Sequence, residues 1–312
     1  MAAGEALAVL QRTVWDARLP LEIRLAASES RTYDTGDPYL ISYPRLAYLP
    51  SLLPQLHAYF ASSLITDPDT VSPFTGYFTF DNVALKWHLP LGLLYDVYVL
   101  STQDAGQAPS TTAPLPFRIT LHFTPDPAGS QIPDASPVVL HDAFINAVKE
   151  ADFLRSGTAK PIMSLGAQES KALWTSTQNN DLFTFSKIHT ALLPPPGQTR
   201  NIPIRVYLPS SPDQEPTKAQ IKVIQSQVGP TIGAPVQTSA TTLRPTSGGQ
   251  PQTLGTALHQ MVPSIFPSRR TALLATPLLH GVPVPMTALL DELYRWACYA
   301  DGWLSVVVAM RA

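Results

Sequence analysis

Apolar and polar positions alternate along 21–25 and again along 39–43, which predicts two half-buried strands; Leu19-Pro20 reads as a break before the first and Pro44 as the edge or end of the second. Upstream, Leu7, Leu10 and Val14 recur at helical spacing over 5–15. A helix of about 11 residues is not stable alone, so this stripe must dock on something. Helical spacing returns at 52–64, with Leu53, Leu56, Tyr59, Phe60 and Leu64 on one face. One or two strands over 76–87, a short helix opening near Leu91, and a closing strand over 117–123 follow.

The same plan recurs near the other end. Strands are expected over 202–208 and 221–228, helices over 253–262 and 287–300, a stop at Gly302, and a mostly buried strand over 303–310. The segment 85–96 (apolar run, His88, Pro90, paired leucines, Asp96) has an echo at 278–291, where His280 stands in the place of His88. A duplicated small domain is the first inference. Strand, strand, helix, strand, short helix, strand is the plan of a β-grasp unit, with a ferredoxin-like pair as the competing architecture. Between the copies the period becomes helical. Phe144, Val148, Ala151 and Leu154 share one face, Ile162, Leu165, Ser170, Leu173 and Trp174 mark a second helix near Gly166, and 181–193 is a third, stopped by Pro194-Pro195-Pro196-Gly197. The expected class is α+β: two ubiquitin-like (β-grasp) domains, 17–125 and 200–312, flank a helix-rich domain, 135–197, with an N-terminal helix over 1–16. The Ser-, Thr-, Pro- and Gly-rich stretch 231–252 reads as a mobile loop.

Composition narrows the chemistry. Only 14% of residues are charged, against about 25% in an ordinary soluble protein, so the surface relies on Ser, Thr, Gln and Pro. A net charge of -2, with Arg269-Arg270 and Lys218 with Lys222 the nearest approach to a basic cluster, argues against nucleic-acid binding. One cysteine, Cys298, excludes a disulfide framework and a multi-cysteine metal site, and fits the cytosol. No secretory signal and no stretch of about 18 apolar residues is present, so a soluble or peripheral protein is expected. Nucleophile elbow, phosphate loop, dinucleotide fingerprint and zinc-protease motif are all missing, and neither cofactor nor metal is expected. His141-Asp142 reads as a surface helix start. Cys298, among Leu290, Leu293, Trp296 and Ala297 on an amphipathic helix, reads as a small hydrophobe; a thioester-forming nucleophile there would need a lowered pKa and exposure.

Lys149 lies at the margin of the apolar face of Phe144, Val148 and Ala151, so its amine should reach solvent. Glu150 and Asp152 nearby could hold it charged, or align or desolvate it beside an activated carboxyl group. Taken alone, such a lysine reads as a solubilising one.

Ordered motifs give Lys149 more weight. Val14-Trp15, Arg18-Leu19-Pro20, Pro44-Arg45-Leu46-Ala47-Tyr48-Leu49, Lys86 through Asp96, Val148 through Asp152, Ile162 through Leu165, Leu173-Trp174, Arg200 through Arg205 and His280-Gly281 span nearly the whole chain. In this order they resemble the autophagy protein five family. The resemblance implies two ubiquitin-like domains around a helical one. It also implies a non-catalytic scaffold whose Lys149 forms an isopeptide bond with the C-terminal glycine of the ubiquitin-like autophagy protein twelve, delivered by activating and conjugating enzymes. The conjugate would promote transfer of autophagy protein eight to phosphatidylethanolamine during autophagosome formation. A coiled-coil partner, autophagy protein sixteen, would lay a helix in a groove, with Arg45 the candidate for pairing with its acid; the alternative for Arg45 is a sheet-edge residue covering its neighbours. Lys160 and Lys171 are candidates for membrane contact. Cytoplasmic residence with peripheral recruitment to the preautophagosomal membrane is the implied location. The sequence departs from the family pattern at 231–252 and in an insertion at 105–116. The rival reading is a tandem ubiquitin-like adaptor that binds helical partners unmodified.

Overall fold

A computed structural model describes residues 2–31, 36–102, 115–125, 134–195, 198–209, 221–232 and 249–311. Helix α1 (Ala2–Asp16) precedes strand β1 (Arg18–Leu25), β2 (Tyr39–Pro44), α2 (Leu53–Phe60), β3 (Tyr77–Phe80), β4 (Val83–Ala84), α3 (Leu91–Tyr98) and β5 (Phe117–His122). Helices α4 (Pro137–Ser156), α5 (Lys160–Met163), α6 (Ala167–Gln178) and α7 (Leu182–Leu192) form the middle unit. Then β6 (Ile202–Leu208), β7 (Lys222–Val228), α8 (Leu254–Met261), β8 (Ala275–Leu279), β9 (Val282–Pro283), α9 (Leu290–Ala297) and β10 (Leu304–Met310) repeat the first pattern.

Both sheets have one strand order, β2-β1-β5-β3-β4 and β7-β6-β10-β8-β9, with the first and last strands of each unit parallel at the centre. This is the β-grasp plan, and the ferredoxin-like alternative falls away. In each unit a two-residue turn at positive φ joins the third and fourth strands: Asp81 and Asn82 in the first, His280 and Gly281 in the second. Such a turn matches the twist of its flanking strands. The duplication is therefore real, but its register differs from the expected one. His280 is the counterpart of Asp81, not of His88, which lies beyond β4 on the way into α3. The His-Pro pattern matched the two copies out of phase.

Other expectations shift for local reasons. Pro20 sits inside β1 opposite Ser42 of β2; β5 begins to pair with β1 only at Leu21, so at Pro20 no parallel neighbour needs the missing N–H. The helix expected over 52–64 is α-helical only as α2 and continues as a 3₁₀ turn over 61–63. Tyr59 turns outward, 44% exposed, while Leu53, Leu56, Phe60 and Leu64 are buried. The helix expected over 287–300 is shortened to α9, which leaves Cys298 at its C-cap. The middle unit holds four helices rather than three, because Lys160–Met163 folds into a single turn before Gly166 starts α6. Leu154 and Ser170 are only half-buried, unlike Phe144, Val148, Ala151, Leu173 and Trp174. Most of the stretch 231–252 and of the insertion at 105–116 lies outside the described residues.

Helix α1 lies against α9, so it docks as its marginal length requires. Trp15 anchors it: its ring is 3% exposed and 4.6 Å from that of Phe185 on α7, and its carbonyl accepts from Asn180 Nδ2 at 2.7 Å. Burying such a side chain stabilises the docked helix by about 1.5–3 kcal/mol. Leu10, expected on the docked stripe, is 43% exposed, and Val9 is 61% exposed.

Candidate functional site

Helix α4 carries the candidate acceptor. Pro137 opens it and Gly157, at φ 73°, closes it in the left-handed cap geometry that glycine favours. Lys149 is exposed on this helix and has no hydrogen-bond or ion-pair partner among the described residues. The two acids expected to attend it are committed elsewhere. Glu150 accepts from Arg205 Nη2 of β6 at 3.1 Å. Asp152 is completely buried, binds Arg155, and takes the backbone N–H of Ile162 at 3.0 Å. The expectation that they align or desolvate Lys149 is therefore corrected: α4 has neighbours on several sides, and adjacency in sequence sends these carboxylates to different ones.

Those commitments hold the helix. Arg155 Nη1 donates to Tyr294 OH of α9 at 3.0 Å, Asn201 Nδ2 to the Leu154 carbonyl at 3.2 Å, and Trp303 Nε1 to the Ala147 carbonyl at 3.2 Å. The Gly302 backbone approaches Ala151 so closely that a Cβ there would stand 3.2 Å from the alanine methyl. Arg205 lies over the Trp303 ring at 3.7 Å, with Asp301 at 3.9 Å. Thus α4 is fastened to the second ubiquitin-like unit on both sides of Lys149. An ion pair as buried as Asp152–Arg155 is worth little net, but losing one partner is costly.

Arg45 is 8% exposed and pairs with Asp96 of α3 at 2.5 Å. Gly281 of the β8–β9 turn stands against this pair, where a Cβ would lie 3.2 Å from Asp96 Oδ1, so the first unit meets the second here. Gly281 has φ 81°, and a Cβ there would come within 2.9 Å of Arg45 Nη2, so this position suits glycine alone. Burial raises Asp96 to about 6 despite the opposing pull of Arg45. Arg45 is neither a sheet-edge residue nor a cation awaiting a partner's acid; its partner is internal. Beside it His280 stacks on Tyr299 at 4.3 Å and bonds the Ala297 carbonyl at 2.8 Å; burial lowers it to about 4.

Cys298 is partly buried against the core. Burial pushes its thiol up to about 12, with Asp301 adding to the shift, and its neighbour His189, 3.9 Å away, is lowered by burial to about 3. Neither a thiolate nor an effective base is at hand, so this pair is not an activated nucleophile. His141 and Asp142 pair at 3.5 Å near the start of α4. Lys160 on α5 and Lys171 on α6 are both exposed, with Met163, 72% exposed, one turn from Lys160. No described helix is long and apolar enough to cross a membrane. Sequence reasoning missed Arg205, Tyr294 and Trp303. The pair Asp152 and Arg155, three apart on a helix, was the available clue to a clamp.

Three regions match family models: residues 14–123 that of "Autophagy protein ATG5, UblA domain", 137–195 that of its "alpha-helical bundle region", and 201–308 that of its "UblB domain". Autophagy protein 5 of Aspergillus fumigatus is 51% identical over 316 residues, covering 97% of this chain and 96% of the relative. The Phaeosphaeria nodorum protein of that name is 42% identical over 325 residues, covering 99% of each. A crystal structure of Kluyveromyces marxianus Atg5 superposes with a TM-score of 0.73 at 18% identity, covering 96% of this chain and 98% of that one, a likeness of fold.

Proposed function

The chain belongs to the autophagy protein 5 family, and from that premise we propose that it is a non-catalytic conjugation acceptor and scaffold, modified at Lys149 by the ubiquitin-like autophagy protein twelve. One observation carries the reading: Lys149 stands exposed and unpaired on a helix clamped on either side of it, while the acids beside it are engaged elsewhere. The lone pair of Nζ attacks the thioester carbonyl carbon. The C–N bond forms, the C–S bond breaks, and the departing thiolate of the conjugating enzyme takes up the proton the amine loses. This chain supplies position, and the enzymes that charge the modifier supply activation. In reconstitution with those enzymes, Lys149→Arg should abolish the slower-migrating adduct. A full-strength adduct, with another lysine identified by mass spectrometry, would overturn the assignment.

The scaffold role draws support from α1. Val9 and Leu10 leave an apolar strip uncovered, and Leu289, preceding the α9 against which α1 packs, is 38% exposed. An amphipathic helix of autophagy protein sixteen would cover such a strip. Leu10→Glu should weaken that helix by about tenfold or more in calorimetry, the loss typical of an interface anchor; unchanged affinity removes α1 from the groove. The conjugate would then promote transfer of autophagy protein eight to phosphatidylethanolamine at the preautophagosomal membrane, with cytoplasmic residence otherwise. Lys160 and Lys171 are the candidate membrane contacts.

A further inference from the structure

A cavity of about 430 Å³ opens where all three units meet. The first unit contributes Tyr48, Trp87 and His88, helix α4 contributes Ala143, Asn146, Ala147 and Glu150, and the second contributes Arg205, Tyr207, Val223 and Gln225. Its size is that of a site for a small ligand or a few residues of peptide, within the usual range of about 300–1,000 Å³. Aromatic rings and aliphatic side chains form much of the wall. The charges there balance in sum: Arg205 is held between Glu150 at 3.1 Å and Asp301 at 3.9 Å, and Lys86, without an ion-pair partner among the described residues, is the other cation of the wall. His88 has part of its ring toward solvent, yet desolvation by the wall, with repulsion from Arg205 and Lys86, holds it at about 4. A neutral, partly apolar occupant fits these walls better than an ion.

The position of Lys149 narrows the choice. At about 100° per residue, Ala143, Asn146, Ala147 and Glu150 form one face of α4, and Lys149 lies about 60° around the helix from Asn146. Lys149 is not part of the wall but is the neighbour of Asn146, one turn along the helix at its rim. The opposite wall includes Val223 and Gln225 of β7, an edge strand in its sheet, the kind of strand beside which an extended chain can lie. We propose that this cavity seats the extended residues immediately preceding the C-terminal glycine of the modifier, a neutral segment bearing an aromatic or large aliphatic side chain, and so delivers the thioester to Lys149. This rests on the reading of Lys149 as acceptor and adds a recognition step to it.

The test uses the full chain and the thioester-charged conjugating enzyme. Val223→Trp fills the cavity from an exposed edge strand, and Ala143→Trp fills it from α4. Each should lower the conjugation rate at subsaturating donor by about tenfold while the saturating rate stays within about twofold, as loss of a docking contact requires. Unchanged rates in correctly folded variants overturn the proposal while leaving the Lys149 reading intact. An adduct that persists in Lys149→Arg removes the reading itself. The wild-type conjugate provides a check that needs no cavity variant to fold. With the Trp87 indole labelled by fluorine and assigned through Trp87→Phe, its resonance should move on conjugation, and an unmoved resonance overturns the proposal.

Discussion

The two ubiquitin-like units share a strand order but not an environment. Outward positions of the central strands in the first unit are Glu22, Arg24, Arg118 and Thr120; Arg24 and Arg118 both pair with Glu22, and that face is open to water. The corresponding positions in the second unit are Arg205, Tyr207, Ser305 and Val307, and the last three are at most 2% exposed. They lie under α4 and the first unit. One topology thus serves as an ordinary half-buried sheet in one copy and as the middle layer of a sandwich in the other. What distinguishes the copies is the neighbour that the outer face has acquired, and that neighbour carries the proposed acceptor.

Breaking the clamp gives the largest expected contrast. Arg155→Met should cost about 3–5 kcal/mol in urea unfolding, because it leaves Asp152 buried without its partner. Tyr207→Ala should cost a similar amount, about 3–5 kcal/mol, as other large aromatic truncations in cores do. The matching outward change in the first unit, Arg24→Ala, should stay within about 0.5 kcal/mol. Equal costs in the two units would dissolve the distinction.

Acid should act next. Burial lowers His189 to about 3, with Arg155 repelling its proton, while Phe185 stacks on its ring at 4.9 Å and Cys298 Sγ lies 3.9 Å from Nε2. The native state therefore keeps this ring neutral where the unfolded chain protonates it at about 6.5. Stability is fully present above that value and falls as pH drops toward about 3. The slope approaches about 1.4 kcal/mol per pH unit well inside that window. His189→Gln should flatten the fall between pH 6 and 5 in unfolding measurements; an unaltered slope would place the acid sensitivity elsewhere. A small effect should also come from Glu22→Gln on the open sheet, under about 1 kcal/mol and fading with added salt.

Much of this contrast was legible in the chain. Phe117-Arg118-Ile119-Thr120-Leu121-His122 alternates as a strand with one wet face, whereas Leu304-Ser305-Val306-Val307-Val308-Ala309 is almost uniformly apolar, as a strand covered on both faces must be. The element order, the change to helical period and the exposure of Lys149 followed from periodicity in the same way. Pairwise geometry did not. Asp152 was grouped with Lys149 by its place in the chain, yet its partners are Arg155 and Ile162. Arg45 looked like a cation for a partner's acid or an edge residue because Asp96, its internal partner, is distant in sequence. The phase of the repeat slipped because a histidine and a proline are easier to match than the positive-φ turns that align the copies.

The contacts of β10 also bear on the life history of the chain. It emerges from the ribosome after every other described element, and Trp303, immediately before it, supplies the indole that holds the Ala147 carbonyl. Gly302 packs on Ala151, and Ser305 and Val307 face the layer beneath α4. During synthesis α4 is finished about 150 residues before its clamp, so nascent and truncated chains display Lys149 on an unanchored helix. Only a chain translated through β10 presents the lysine in fixed register. The register of α4 would then be the last thing these three units settle, set by a strand that lies about 150 residues further along the chain.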